Sequence, residues 1–267
     1  FGLAGLVGLV VLLVAAIKGS LTNHLKALQN ESVYAETFAI WLIGFQVLML
    51  LAALLGTSLS ASWSMLPSLA AFLASLGVLL WPLMRGRSWH AVRTEIGWTC
   101  GNGVIRECLC GVAGYAMAIP IAAIGLLLTV FLIFVASSGD DGGSSVAHPI
   151  VGELADGGIA IRIQILILAV IIAPLVEETL FRGLLYRHLR SVTGRWGLAW
   201  SVVLSSLVSG LIFAMIHPQG ILAIPALTSL AIAFALAREW RGSLIAPMVM
   251  HGLSNGLIMT LLLVMVS

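Results

Sequence analysis

Residues 159–190 read IAIRIQILILAVIIAPLVEETLFRGLLYRHLR, and this stretch decides the class of fold. Its apolar run is continuous rather than alternating, and far longer than the roughly 10 residues of a membrane barrel strand. A bilayer core about 30 Å thick needs roughly 20 apolar residues per helix, so the stretch reads as a membrane helix. It nevertheless carries Glu177, Glu178 and Arg182 inside the run. The rest of the 267-residue chain agrees with this reading. Hydrophobic residues make up 60% and charged residues 9%, against about 25% charged in a soluble domain, and the mean hydropathy is +1.11. The fold class expected is an all-α polytopic membrane protein. The net charge of +2 gives no sign of a nucleic-acid partner. Cys100, Cys108 and Cys110 lack C-x-x-C spacing and read as free thiols.

Apolar runs of spanning length fall near 1–17, 38–57, 64–84, 109–136, 159–177 (continuing to about 190), 199–217, 220–237 and 243–266, which makes eight spans. The first reads as a membrane helix rather than a signal peptide, because no A-x-A-like site precedes Lys18. With eight spans, alternate loops share a side. One set of loops holds Lys18, Lys26, Arg85, Arg87, Arg93, Arg106, Arg187, Arg190, Arg195, Arg238 and Arg241, which is 11 of the 13 basic residues. The loop between spans four and five instead holds Asp140, Asp141, Glu153 and Asp156. By the positive-inside rule the basic loops are cytoplasmic and both termini lie outside, as expected of a plasma-membrane protein. Three regions are expected: a four-helix membrane region over 1–136, an extracytoplasmic acidic Gly/Ser-rich linker over 137–158, and a four-helix catalytic core over 159–267.

Polar groups at membrane depth point to function. An ionisable residue near the centre of a membrane helix costs about 2.5–3.5 kcal/mol on insertion scales. Glu178 and Arg182 are i,i+4 and stack on one helix face in the favourable acid-first order. Glu177 is rotated about 100° away and has no local partner. Pro174 removes a backbone donor one turn earlier and should kink the helix. The alternative, that these are solvated charges at a helix end, is opposed by Arg187 and Arg190. Those two mark the water interface and leave Glu177 about 20 Å inside.

A second cluster is Phe213 to His217, followed by Pro218. Alone, a histidine there reads more readily as an interface residue. The third is His251 with Asn255, i,i+4 on one face of the last helix. An interhelical clasp is its structural alternative. Helix rises bring Glu177, His217, His251 and Asn255 within about 10 Å of one depth.

An unpaired carboxylate, two imidazoles and an amide in a dry cavity suit metal-free hydrolysis. Glu177 is expected to activate water with His217 as partner, while His251 and Asn255 form an oxyanion hole. No Ser or Cys sits in an evident nucleophile motif with this set, so direct attack by water is preferred over an acyl-enzyme. Water-bridgeable separations in a cavity open to the cytoplasm are the expected signature.

The motifs Glu177-Glu178-x-x-x-Arg182, Phe213-x-x-x-His217 and His251-x-x-x-Asn255, in order on successive apolar helices, resemble the CAAX protease and bacteriocin-processing family. That family includes the Ras-converting CAAX endopeptidase, an intramembrane glutamic protease with eight helices. The resemblance covers about 175–256. It implies Glu177 as the base, His217 as its partner, and His251 with Asn255 on the oxyanion. Glu178, Arg182 and Phe213 would organise the site, with no cofactor and no metal. The implied partners are the lipid bilayer and a peptide or protein substrate, membrane-anchored or prenylated in some members.

Three rival readings remain at this level. A zinc protease would use Glu177, His217 and His251 as ligands. The chain lacks H-E-x-x-H, and no carboxylate is visibly placed to orient the imidazoles. A non-enzymatic immunity or scaffold protein would use the polar set as a clasp. A proton-coupled transporter would use it as a relay, but no internal repeat is evident.

Overall fold

The computed structural model describes residues 32–138, 152–154 and 157–266. They form an all-helical bundle. Among the described residues, seven helices are long and apolar enough to cross a membrane: α1 Ser32–Gly56, α2 Ala61–Met84, then, after the short α3 Trp89–Ile96, α4 Val104–Ser137, α5 Ile159–Trp196, α6 Leu198–Met215, α7 Ile221–Arg241 and α8 Ile245–Met265. They correspond to the last seven of the eight expected spans. The run at 1–17 lies outside the described residues, as does most of the linker at 137–158. Helices suit this chain because each satisfies its own backbone donors and acceptors where no water is available. Their outer faces carry Leu50, Leu54, Ile105, Leu127 and Phe134, all exposed, as a lipid-facing surface requires.

α5 is the central element, packing against α1, α2, α3, α6 and α8. Phe38 and Trp41 of α1 meet Phe181 of α5 edge-on, with centroids 5.3 and 5.9 Å apart. Phe181 in turn meets Phe213 of α6 at 5.0 Å. α4 belongs to the first half of the chain yet packs on α7 and α8. Close approach there depends on missing side chains: a Cβ at Gly111 would lie 2.7 Å from Val249 Cβ, and one at Gly125 only 2.6 Å from Pro225 O. Small residues serve this purpose in membrane bundles generally.

The loops expected to share a side do meet. Leu244 N–H donates to Gly97 O at 3.0 Å, and Ser243 Oγ to Thr99 O at 2.8 Å. Gly97 ends α3 at φ 92°, and a Cβ on it would strike the Arg238 guanidinium at 2.6 Å. Around this stitch Arg241 grips Glu107 through two bonds of 2.6 and 2.9 Å. Arg190 and Tyr186 both bond Glu239, and Tyr34, Arg87 and Arg187 gather on Glu95. This end of the bundle, hereafter the basic end, is closed by ion pairs.

Candidate active site

The site is built on an irregular stretch of α5. Residues Leu168–Ile172 and Thr179–Leu185 are π-helical, with the α-helical turn Ala173–Glu178 between them. Such widened turns are rare and occur frequently at functional sites. Pro174 sits in the α-helical turn, where the kink was expected. Glu177 and Glu178 leave this turn in different directions. Glu178 is fully enclosed, while the Glu177 side chain remains 15% exposed and lines a cavity of about 370 Å³. That size falls in the usual range for small-ligand sites, about 300–1,000 Å³.

Three of the four expected catalytic side chains converge. Glu177 Oε2 lies 3.6 Å from His217 Nε2 and 3.7 Å from His251 Nε2. Both separations exceed a direct hydrogen bond and match a contact shared through a small polar molecule. Glu177 Oε2 accepts no hydrogen bond from any protein group, despite being shielded from solvent. His217 stands in the turn after α6 and donates Nδ1–H to Phe213 O at 2.6 Å. A carbonyl only accepts, so the neutral ring presents its Nε2 lone pair to Glu177.

His251 is held more tightly. Its Nδ1 bonds Glu178 Oε1 at 2.9 Å, and the ring stacks on Phe234 at 5.1 Å. Arg182 Nη1 reaches the same Glu178 oxygen at 2.8 Å, and its Nη2 donates to Ala231 O at 3.0 Å. The guanidinium lies between the rings of Phe213, 4.9 Å away, and Phe234, 5.2 Å away. Cation–π contact of this kind suits a delocalised cation sealed from water. Two carboxylates against one guanidinium leave the cluster one negative charge in excess, which a single imidazolium would balance.

This geometry corrects two sequence expectations. Glu178 is not occupied by Arg182 alone. It also orients His251, so a carboxylate is placed to hold an imidazole after all. The pairing bridges 73 residues between α5 and α8, a separation no local spacing reports. The cavity also runs the other way from expectation. From Glu177 it extends past Leu168 and Ala169 on α5, Leu227 on α7 and Ile258 on α8. Each of these lies toward the helix ends opposite the basic end, so the cavity leads away from the loops expected in the cytoplasm. The physical reason is that ion pairs fill the basic end.

Asn255, the fourth expected residue, lines the cavity one turn beyond His251, and its Nδ2 donates to Ala169 O at 2.8 Å. The sequence reading missed Phe234, one apolar residue among many on α7. It also missed the wall contributed by Trp41 and Phe45 of α1 and Phe72 of α2. Trp41 and Phe45 are i,i+4 aromatics on one face, the only advance signal of that wall. Among the described residues, no three His, Cys, Asp or Glu side chains group closely enough to hold a metal ion.

Residues 160–257 match the family model for type II CAAX prenyl endopeptidase Rce1-like proteins. That range holds all three motifs, and the family resemblance read from them is borne out. An uncharacterized 24.3 kDa protein of Escherichia coli is 34% identical over 108 residues, covering 39% of this chain and 48% of that protein. The membrane-embedded CAAX protease MroQ of Staphylococcus aureus (strain USA300) is 35% identical over 102 residues, covering 38% of this chain and 40% of that protein. The chain thus spans half or less of the length of these relatives. No solved structure matches it.

Proposed function

We propose that the protein is an intramembrane endopeptidase that hydrolyses a peptide bond with water activated by Glu177. The observation that carries this reading is the meeting of the Glu177 carboxylate with two imidazole Nε2 atoms at 3.6 and 3.7 Å, at the wall of a cavity. Water seated among them gives its proton to Glu177, and its oxygen bonds to the substrate carbonyl carbon. His217, locked through Phe213 O, positions that water. The carbonyl oxygen becomes negative and is met by His251 Nε2–H when that ring carries both protons, with Nδ1–H donating to Glu178. One such donor is commonly worth about 10²–10³ in rate. As the intermediate collapses, the C–N bond breaks and the proton on Glu177 passes to the leaving amine. Acid and amine are the products.

The aromatic wall of Trp41, Phe45 and Phe72 favours a bulky apolar group beside the scissile bond. A membrane-anchored peptide fits a site reached from within the bundle. The name of MroQ and the family description support a peptide substrate for this chain as well. The basic loops are assigned to the cytoplasm on their charge.

The test is cleavage of a peptide library by the purified protein, read by mass spectrometry, for wild type and Glu177→Gln. Specific cuts made by wild type and lost in the variant are expected. A wild type that cuts nothing, with both variants Glu177→Gln and His251→Ala unfolding, would establish the clasp reading instead. Zinc held by Glu177, His217 and His251 is the alternative that chelation tests. Full cleavage activity is expected after exhaustive chelation, measured on the same peptides.

A further inference from the structure

Pro174 leaves a gap at one definite place in the ladder of α5. The Ala173 N–H donates to Leu168 O, five residues back. In that register the next donor is the N–H of residue 174 and the next acceptor is Ala169 O. Proline has no N–H, so Ala169 O loses its ladder partner at membrane depth, where an unpaired carbonyl is costly. Asn255 Nδ2 supplies the missing bond from α8 at 2.8 Å. The approach is close because position 252 is glycine: a Cβ there would lie 2.7 Å from Val170 O. Gly252 and Asn255 are i,i+3, so one face of α8 both admits the widened turn and caps it.

The same two helices carry the acid and one of its imidazoles. Glu177 follows Pro174 by three residues, and His251 precedes Asn255 by four. The bond from Asn255 to Ala169 therefore braces α5 against α8 about one turn along α8 and two turns along α5 from the gap of 3.7 Å between Glu177 Oε2 and His251 Nε2.

We infer that Asn255 is a positioning residue: its side-chain amide replaces the backbone donor that Pro174 lacks, and so sets the distance between Glu177 and His251. The consequence for activity rests on the peptidase reading above, whereas the coupling between Asn255 and Pro174 does not. This role differs from the oxyanion contact expected of Asn255 from sequence. It predicts a specific suppressor. The substitution Pro174→Ala restores an N–H to the ladder, and in either the α or the π register Ala169 O then has a backbone donor.

The experiment compares Asn255→Ala, Pro174→Ala and the double variant in the full chain, by thermal unfolding in detergent and by kcat and KM on a peptide that wild type cleaves. Asn255→Ala is expected to lower the thermal midpoint by about 2–4 °C when Pro174 is present and to have little effect when combined with Pro174→Ala. Its fall in kcat, with KM little changed, is expected to be recovered in the double variant to within about threefold of Pro174→Ala. An equal effect of Asn255→Ala in both backgrounds overturns the inference. A loss of about 10²–10³ that Pro174→Ala does not relieve would mark Asn255 as an oxyanion donor. Should Asn255→Ala fail to fold, folding of the double variant supports the inference, and equal failure of both overturns it. A wild type without activity removes the peptidase reading, and the unfolding comparison still decides the coupling.

Discussion

Two buried acids, Glu107 and Glu177, are treated in opposite ways. Glu107, near the basic end, is enclosed and receives two bonds from Arg241 and one from Asn102 N–H at 3.0 Å. Glu177, deep in α5, faces a cavity with one carboxylate oxygen lacking any hydrogen bond, while two imidazoles stand just beyond reach. The first arrangement closes the loops over one another, and its geometry leaves nothing for a substrate to complete. The second is tolerable only because Glu178 and Arg182 hold the neighbouring charge on a rigid set of rings. Glu107, gripped by an arginine, holds the fold, and Glu177, which faces the cavity without such a grip, is where chemistry is expected.

The largest effect expected from breaking this contrast is in Glu177→Gln. Cleavage should fall by about 10²–10⁴, the usual scale of general-base loss, with the thermal midpoint unchanged or raised. A variant that loses stability and activity together would place Glu177 with Glu107 instead. Arg182→Met comes next. It strands Glu178 at a site where the guanidinium is 1% exposed, and removing one partner of such a pair costs about 3–5 kcal/mol. Thermal unfolding of the detergent-solubilised protein reads this directly, and low expression would be its first sign. Glu178→Gln keeps the shape but leaves the Arg182 charge without its acid, a loss of stability of the same kind, and weakens the hold on His251. A loss of about 10² in kcat with KM nearly constant is expected, and a change in KM alone would remove Glu178 from the reaction.

Glu107→Gln sharpens the other half of the comparison. It should cost about 1–3 kcal/mol, between the surface and buried limits for ion pairs, while the kcat of the folded fraction stays at the wild-type value. The smallest effect belongs to the cavity wall. Phe45→Ala should leave the best kcat within a few-fold of wild type and relax the preference for a bulky apolar residue by about 10–200-fold, the range for altered apolar pockets. Competition between paired peptides of different side-chain size measures it.

The placement of the seven described spans follows from hydrophobic length alone, since the bilayer thickness sets a ruler that each run must meet. The gathering of basic residues at one end follows from alternation, and Leu244, Gly97, Ser243 and Thr99 confirm that the two loops concerned touch. Glu178 with Arg182 was legible because i,i+4 partners are neighbours on any helix. Three motifs in order were enough to place Glu177, His217 and His251 in one set.

What sequence could not decide was the particular bonds and ring contacts made between helices. The bond between Glu178 and His251, the stacking of Phe234 on that ring, and the aromatic wall drawn from α1 and α2 all depend on how helices rotate and cross. So does the direction of the cavity, which runs away from the basic end because ion pairs occupy that end. Pro174 announced a kink, but the carbonyl it leaves bare and the amide that covers it are 86 residues apart. Local spacing dictates what shares a helix face, because a regular helix repeats the same backbone geometry turn after turn. Which faces meet is settled by packing, here by Gly111, Gly125 and Gly252, whose missing side chains let particular helices come close.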